Sequence, residues 1–352
     1  MPNLSKRIYY EIESKCNLQC IHCSDLLKSS KRKQISSSDL LKFHEIAVKK
    51  GIETCIITGG EPTLHNDFFT LVSELSKVTK VIITTNGTTL SIDDLKSMVI
   101  GNDNVMVQIS LDGSTQETFE KIRGKNTYVK VEKLLKDIVK YEIANKVGIS
   151  MTIMNENIQE VSKMISFCKD NGFSYVYFPV LLPVGNAKKS WKQIAPPIKK
   201  QVSIENEIIQ NIIENKSITE ISSNRIEQII SKINSCGESD CINELTIKIT
   251  PGGYIYPCPI SDEDGYYMGH INDVKQSSDI DNLIKEFNEY KVQEEINYLK
   301  LDECRDCSVY KYCKGRFCAN CRMSGEKCDK IIKYNCSILK SHLENAIKEL
   351  NG

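Results

Sequence analysis

Three thiols fall within eight residues in the stretch Cys16-Asn-Leu-Gln-Cys20-Ile-His-Cys23. Closely spaced thiolates can hold three irons of a cubane iron–sulfur cluster, which ordinarily takes four cysteines. No further cysteine follows until Cys55. A cluster held by this loop therefore keeps one iron open to a small ligand. Zinc also gathers thiolates, but a structural zinc site closes with four ligands, usually as spaced pairs. The spacing favours iron and leaves zinc as the alternative.

A loop of this kind needs a scaffold that delivers other groups to the same place. Between residues 8 and 180, strand-like and helix-like stretches alternate. Strands are expected at 8–13, 54–58, 81–85, 105–110, 146–153 and 175–180. Helices are expected between them at 40–50, 68–75, 93–99 and 130–141, with Leu40, Phe43 and Ala47 sharing one face of the first. Ser114-Thr-Gln-Glu117 has the form of a capping box, and Asn157-Ile-Gln-Glu160 of a second cap. Six βα repeats with short connections imply a parallel sheet with right-handed crossovers.

In barrels of such repeats, ligands bind at the C-terminal ends of the strands. The cysteine loop follows strand one, and Gly59-Gly60-Glu61-Pro62 ends strand two. Thr84-Thr85-Asn86-Gly87 ends strand three, and Ser110-Leu-Asp112-Gly113 ends strand four. Taken singly, each is ordinary turn or cap chemistry, since Gly-Gly and Asn-Gly are common turn pairs. Taken together, the four stretches lie on one rim, as a single site requires.

These motifs together resemble the radical S-adenosylmethionine (radical SAM) enzymes. The resemblance implies an α/β fold whose core is a partial (β/α)6 TIM-like barrel, with a [4Fe–4S] cluster on Cys16, Cys20 and Cys23. The open iron of that family binds the amino and carboxylate groups of S-adenosylmethionine. Gly59, Gly60 and Glu61 match the motif that binds the methionine amino group. Ser110 and Asp112 match the strand-four motif near the ribose and carboxylate, and Asn86 lies beside the same ligand. Arg123 matches a position that pairs with the carboxylate, and His22 one that packs near adenine. One electron passing through the cluster then yields methionine and a 5′-deoxyadenosyl radical, which removes hydrogen from an unactivated carbon.

The cysteine distribution marks a second region. Of fifteen cysteines, ten lie from Cys236 to Cys336, whereas Cys55 and Cys168 stand alone and read as small buried apolar residues. A helical bridge is expected over 189–235, separating a barrel at 1–188 from the Cys-rich segment at 236–352. That segment carries a hairpin pattern around Pro251-Gly-Gly253. Behind a radical SAM core it resembles the small α+β SPASM domain, which carries two auxiliary [4Fe–4S] clusters. The resemblance assigns Cys236, Cys241, Cys258 and Cys318 to one cluster, and Cys304, Cys307, Cys313 and Cys336 to the other. Cys313 and Cys318 are separated by four residues where that domain usually has three, and Cys321 and Cys328 are surplus. Either surplus thiol can replace Cys318 or Cys336.

Lys plus Arg equal Asp plus Glu at 46 each, so the charge balance gives no reason to expect a nucleic-acid partner. The N-terminus lacks an apolar signal core, and no long apolar run marks a membrane span. Cysteine richness without an export signal points to reduced thiols and a cytoplasmic protein. SPASM proteins most often modify ribosomally made peptides, by thioether or carbon–carbon crosslinks or by epimerisation. Only fifteen residues precede Cys16, so a leader peptide is expected to bind elsewhere on the chain or through a separate protein, with ferredoxin or flavodoxin as electron donor. Pro259 follows Cys258 where the sulfatase-activating relatives have an acidic residue, which argues against that activity. Two alternatives stand beside the peptide-modifying enzyme. One is a radical enzyme of tetrapyrrole or quinone cofactor synthesis, and the other a non-catalytic metal-binding scaffold.

Overall fold

The computed structural model describes residues 3–23, 33–234, 244–259, 267–298, 306–310 and 329–351. After a two-residue β1 (Asn3–Leu4), the six expected strands form as β2 (Arg7–Glu13), β3 (Thr54–Gly59), β4 (Lys80–Thr85), β5 (Val105–Ser110), β6 (Val147–Ser150) and β7 (Tyr175–Phe178). Each pairs in parallel with the next, in chain order. Helices α1 (Ser37–Lys49), α2 (Phe68–Ser76), α3 (Ile92–Val99), α4 (Gln116–Arg123), α5 (Tyr128–Lys140) and α6 (Val161–Asp170) lie between them.

Side chains alternate across this sheet with the two-residue period of a strand. On the helix side Ile8, Tyr10, Ile12, Val81, Ile83, Val105, Val107 and Ile109 are fully buried. They belong to one continuous core with Leu40, Phe43 and Ala47 of α1, as the periodicity of that helix requires. Ser36 caps α1 by accepting from the Asp39 N–H.

β6 stops at Ser150 rather than reaching 153, because side chains take over the backbone donors. Thr152 N–H goes to Asp112 Oδ1 and Met154 N–H to Asn157 Oδ1. The two expected caps also differ. Thr115, not Ser114, caps α4 through the Thr118 N–H, while the Ser114 hydroxyl donates to Glu160. Asn157 makes no cap bond, because its Oδ1 accepts from the Met154 N–H while Nδ2 donates to the Asp112 and Thr152 carbonyls.

The span 189–235, expected as helices alone, contains a strand. Between α7 (Gly185–Ile194), α8 (Ile198–Ile213) and α9 (Asn224–Asn234) runs β8 (Glu220–Ser223), parallel to β7. The open edge of β7 recruits it, starting from the bond of Glu220 N–H to the Ser174 carbonyl at 2.9 Å. Its four residues are too few to show a period in the sequence.

The sheet also crosses the expected boundary at 236. There β10 (Lys248–Ile249) lies parallel to β2, while a two-residue β9 (Glu244–Leu245) pairs with β1 as a separate two-stranded sheet. The expected hairpin forms from β10 and β11 (Tyr254–Tyr256), followed by β12 (Gly269–His270). The order is therefore β12-β11-β10-β2-β3-β4-β5-β6-β7-β8, an open ten-stranded sheet rather than a closed barrel. Gly253 turns the hairpin at a φ of +82°, and a Cβ there would stand 2.5 Å from His270 Nε2. Helices α10 (Ser277–Tyr298) and α11 (Asp329–Asn351) complete the described chain. No described helix is long and apolar enough to cross a membrane.

A buried polar relay joins β2 to α1. Tyr10 O–H donates to His44 Nδ1 at 2.7 Å, and His44 Nε2–H donates to Thr79 Oγ1 at 3.1 Å. Burial lowers the His44 pKa from 6.5 to about 4. Below pH 6.5 the unfolded chain takes up a proton that the folded chain refuses, so stability falls as pH drops from 6.5 towards 4. The unfolding free-energy advantage of wild type over His44→Gln in urea titrations should shrink by about 1.4 kcal/mol per pH unit across that window. A pH-independent difference would contradict this.

Candidate functional site

The cysteine loop begins where β2 ends, and its root is tied from below. Glu13 is fully buried and accepts from the Lys15 N–H at 2.7 Å and from Gln34 Nε2 at 2.6 Å. The end of β3 lies directly against this segment. Gly60 N–H donates to the Glu13 carbonyl at 2.7 Å, and Glu61 N–H to the Lys15 carbonyl at 2.9 Å. A Cβ on Gly59 would stand 2.4 Å from Glu13 O, and one on Gly60 2.5 Å from Lys15 O. The glycines thus serve first to bring two backbones together, a role the sequence alone did not separate from ligand contact.

Glu61 is the next fixed point. Its buried carboxylate accepts from Thr63 Oγ1 at 2.7 Å, Thr85 Oγ1 at 2.6 Å and the Asn86 N–H at 2.8 Å. Burial raises its pKa, and these donors work against that by stabilising the charge. Asn86 continues the chain of contacts, donating from Nδ2 to Asn17 Oδ1 at 2.9 Å with Cys16 Sγ 3.9 Å away. Asn17 in turn donates to Thr88 Oγ1 at 2.8 Å.

Asp112 organises the other side of the rim and is fully buried. Its Oδ2 accepts from Arg123 Nε at 2.7 Å and lies 2.6 Å from the adjacent guanidinium nitrogen. Against the opposing effect of burial, Asp112 and then the Cys20 sulfur hold the Arg123 pKa up. His22 Nε2 lies 3.3 Å from the same Asp112 oxygen. With that nitrogen as donor, His22 Nδ1 is a bare acceptor, buried and without a partner. Burial lowers the His22 pKa, so the imidazole is neutral. Within the chain, Arg123 is therefore already paired with one carboxylate.

The three thiols of the loop are half-buried at Cys16 and Cys23 and buried at Cys20. Burial raises the Cys16 pKa, and the Leu18 N–H, 3.4 Å from its sulfur, counters that. Sequence reasoning missed what clamps the far half of the loop. Asn186, at the start of α7, donates its backbone N–H to the Cys23 carbonyl at 2.9 Å and Nδ2 to the Cys20 carbonyl at 3.0 Å. The only sequence sign was an Asn after Gly185, near the expected end of the barrel at 188. From α4, the Ile122 carbonyl accepts from the Ile21 N–H at 3.0 Å. Ser110 sits half-buried at the end of β5 on the same rim.

The site therefore joins the cysteine loop, Gly59, Gly60, Glu61, Asn86, Ser110, Asp112, Arg123 and His22 at the C-terminal strand ends. Residues 10–168 match the radical SAM superfamily. Over that stretch the chain is similar to this superfamily. The mycofactocin maturase MftC of Mycobacterium tuberculosis is 25% identical over 319 residues, covering 87% of this chain and 76% of that protein. A GTP 3′,8-cyclase of Listeria welshimeri is 26% identical over 275 residues, covering 73% of this chain and 80% of that protein. In fold, the chain is similar to native anSMEcpe solved with bound AdoMet and Cp18Cys peptide, with a TM-score of 0.71 at 22% identity. That likeness covers 99% of this chain and 98% of the other.

The residues present fit the radical SAM cofactors. Three thiols from one anchored loop present sulfur at the rim, a backbone N–H already points at one of them, and an unpartnered imidazole acceptor lies beside them. Among the described residues, no three His, Cys, Asp or Glu side chains converge on one point.

Of the expected auxiliary ligands, Cys258, Cys307 and Cys336 are described; Cys236, Cys241, Cys304, Cys313 and Cys318, with the surplus Cys321 and Cys328, lie outside the described residues. Cys258 follows β11 close enough to Tyr9 of β2 to raise its pKa, after the larger effect of burial. Cys307 packs against Ile229, Val309, Leu339 and Leu343, and Leu339 lies one helical turn from Cys336 on α11. Cys55 and Cys168 are fully buried within the main core, as expected. Burial pushes the Cys55 thiol up to about 12 and raises Cys168 as well, so both are inert.

The Asp112–Arg123 pair gives a direct test of how the rim is held. Asp112→Asn leaves a buried guanidinium without its counter-charge and should cost about 3 kcal/mol of unfolding free energy. Adding Arg123→Met should recover most of that loss in urea titrations. A double variant as unstable as Asp112→Asn would contradict the pairing.

Proposed function

We propose that this radical SAM enzyme acts on a peptide, and that residues 236–352 form a SPASM region with two auxiliary [4Fe–4S] clusters. Cys16, Cys20 and Cys23 hold the cluster that binds S-adenosylmethionine. Together these cofactors supply reductive cleavage to methionine and a 5′-deoxyadenosyl radical able to take hydrogen from carbon. The chain supplies position and exclusion of water. Glu13, Gly59 and Gly60 fix the root of the loop; Asn86 and Asn186 hold its two halves; Glu61 accepts donors at the amino-group end. Asp112 keeps Arg123 and His22 in place, and His22 Nδ1 offers an acceptor to a donor on the adenine side. Ser110 stands on the ribose and carboxylate side.

The observation that carries the radical reading is the bonding of two strand ends to the cysteine loop, β3 at its root through Gly60 and Glu61 and β4 within it through Asn86. For the substrate, the match to a maturase takes in 87% of the chain, against 73% for the GTP cyclase, and a fold relative was solved with a peptide. The GTP cyclase likeness supports a second reading, with a small molecule as substrate. For the auxiliary clusters, the support is the Cys307 packing beside the Cys336 helix and the Cys258 position next to β2. A separate leader-binding protein and a ferredoxin or flavodoxin donor complete the proposal.

Anaerobic reconstitution followed by iron counting and product analysis tests it. The wild-type protein with S-adenosylmethionine and dithionite should form 5′-deoxyadenosine. A Cys16→Ala/Cys20→Ala/Cys23→Ala variant should form none while keeping the iron of two auxiliary clusters. Zinc in place of iron, or deoxyadenosine from the triple variant, would refute the assignment.

A further inference from the structure

Above Ile56, Ile82 and Met106, the lumen face of the sheet turns polar toward the rim, where a closed barrel would carry packed branched side chains. In-register parallel pairing puts Thr58, Thr84, Gln108 and Ser110 on that face of neighbouring strands, with Tyr175 and Tyr177 beyond. All six are half-buried, whereas their neighbours Ile57, Ile83, Val107, Ile109 and Val176 are fully buried on the helix side. Water therefore reaches this wall, directly beneath the rim that carries the cysteine loop.

Within the wall one side chain is held in a set orientation. Tyr175 O–H donates to Gln108 Oε1 at 3.1 Å, and Gln108 Nε2–H donates to Thr84 Oγ1 at 3.3 Å. Tyr175 reaches Gln108 by lying over β6, where Gly148 leaves room. A Cβ at Gly148 would stand 2.2 Å from the tyrosine ring. A carboxamide has two donors and two acceptor lone pairs. After the two internal bonds, Gln108 retains one N–H and one lone pair, the complement of a peptide amide. The charged groups described near it are Lys248 and Arg7 against Glu11, Glu220 and Glu227, with Lys248 lying 3.2 Å from Glu11. A triphosphate would need surplus positive charge, which this wall does not offer among its described residues.

We propose that Gln108, oriented by Tyr175 across Gly148, is a specificity-determining residue that binds an uncharged peptide amide in the lumen. This rests on the radical reading above. The probe is a pool of blocked pentapeptides, acetyl-Gly-Gly-Xaa-Gly-Gly-amide, with GTP as the rival ligand. Binding to the anaerobically reconstituted full-length protein is followed by saturation-transfer NMR. Wild type should bind the peptides in preference to GTP, and Gln108→Leu should weaken peptide binding about tenfold, the scale of one or two lost hydrogen bonds. Tyr175→Phe should give an intermediate loss, and Gly148→Ala should reproduce the loss by displacing the ring. Iron content and S-adenosylmethionine affinity should be unchanged in Gln108→Leu. Peptide binding that survives Gln108→Leu, absence of peptide binding to wild type, preference for GTP, or a parallel fall in S-adenosylmethionine affinity would each overturn the inference. Failure of wild type to form deoxyadenosine would instead remove the radical reading beneath it.

Discussion

The end of β3 runs against the root of the cysteine loop because two successive residues there carry no side chain. With Gly59 and Gly60, the backbone of one strand hydrogen-bonds to the turn that leaves the next. Any Cβ at either position meets backbone atoms that cannot swing aside. That close approach sets where Cys16 begins and where Glu61 points. A flexible eight-residue loop bearing three thiols would otherwise pay a large ordering entropy before binding anything.

From that contact the rest of the rim follows as two linked networks. Glu61 gathers donors from the turn after β3 and from the end of β4 and passes the constraint through Asn86 to Asn17 beside Cys16. Asp112 gathers Arg123, His22 and Thr152, joining β5, α4, the loop and the turn after β6. Buried charges of this kind add little net stability beside an apolar core, but each is costly to leave unpaired. Their effect is to allow one arrangement of the rim. The sheet itself continues past β2 into β10 and β11, so Cys258 is placed by the same hydrogen-bonded framework as Cys16.

Much of this was legible in the sequence. The six strands and most helices carry the periodicity of elements with one buried face, and the four motifs on the rim follow from where strands end. The roles of the glycines were harder to read. A Gly-Gly pair allows close approach, but only the fold shows that the nearest atoms are Glu13 and Lys15 rather than a ligand. What the sequence concealed was long-range. Asn186 clamps a loop more than 160 residues away. Glu160 takes the Ser114 hydroxyl and moves the helix cap to Thr115. β8 forms because an edge is available, not because its four residues insist on it. The polar lumen was hidden by the same logic, since alternation in a strand says which residues face together but not which face is wet.

The central claim is that the Cys16, Cys20 and Cys23 loop holds a cubane with one corner left for S-adenosylmethionine. Electron–nuclear double resonance on the reduced protein with S-adenosylmethionine labelled with 15N at the methionine amino group tests it most directly. A resolved 15N coupling that disappears in the Cys16→Ala/Cys20→Ala/Cys23→Ala variant is the result expected. A reduced cluster signal without any 15N coupling, or a coupling that persists without the three thiols, would contradict it.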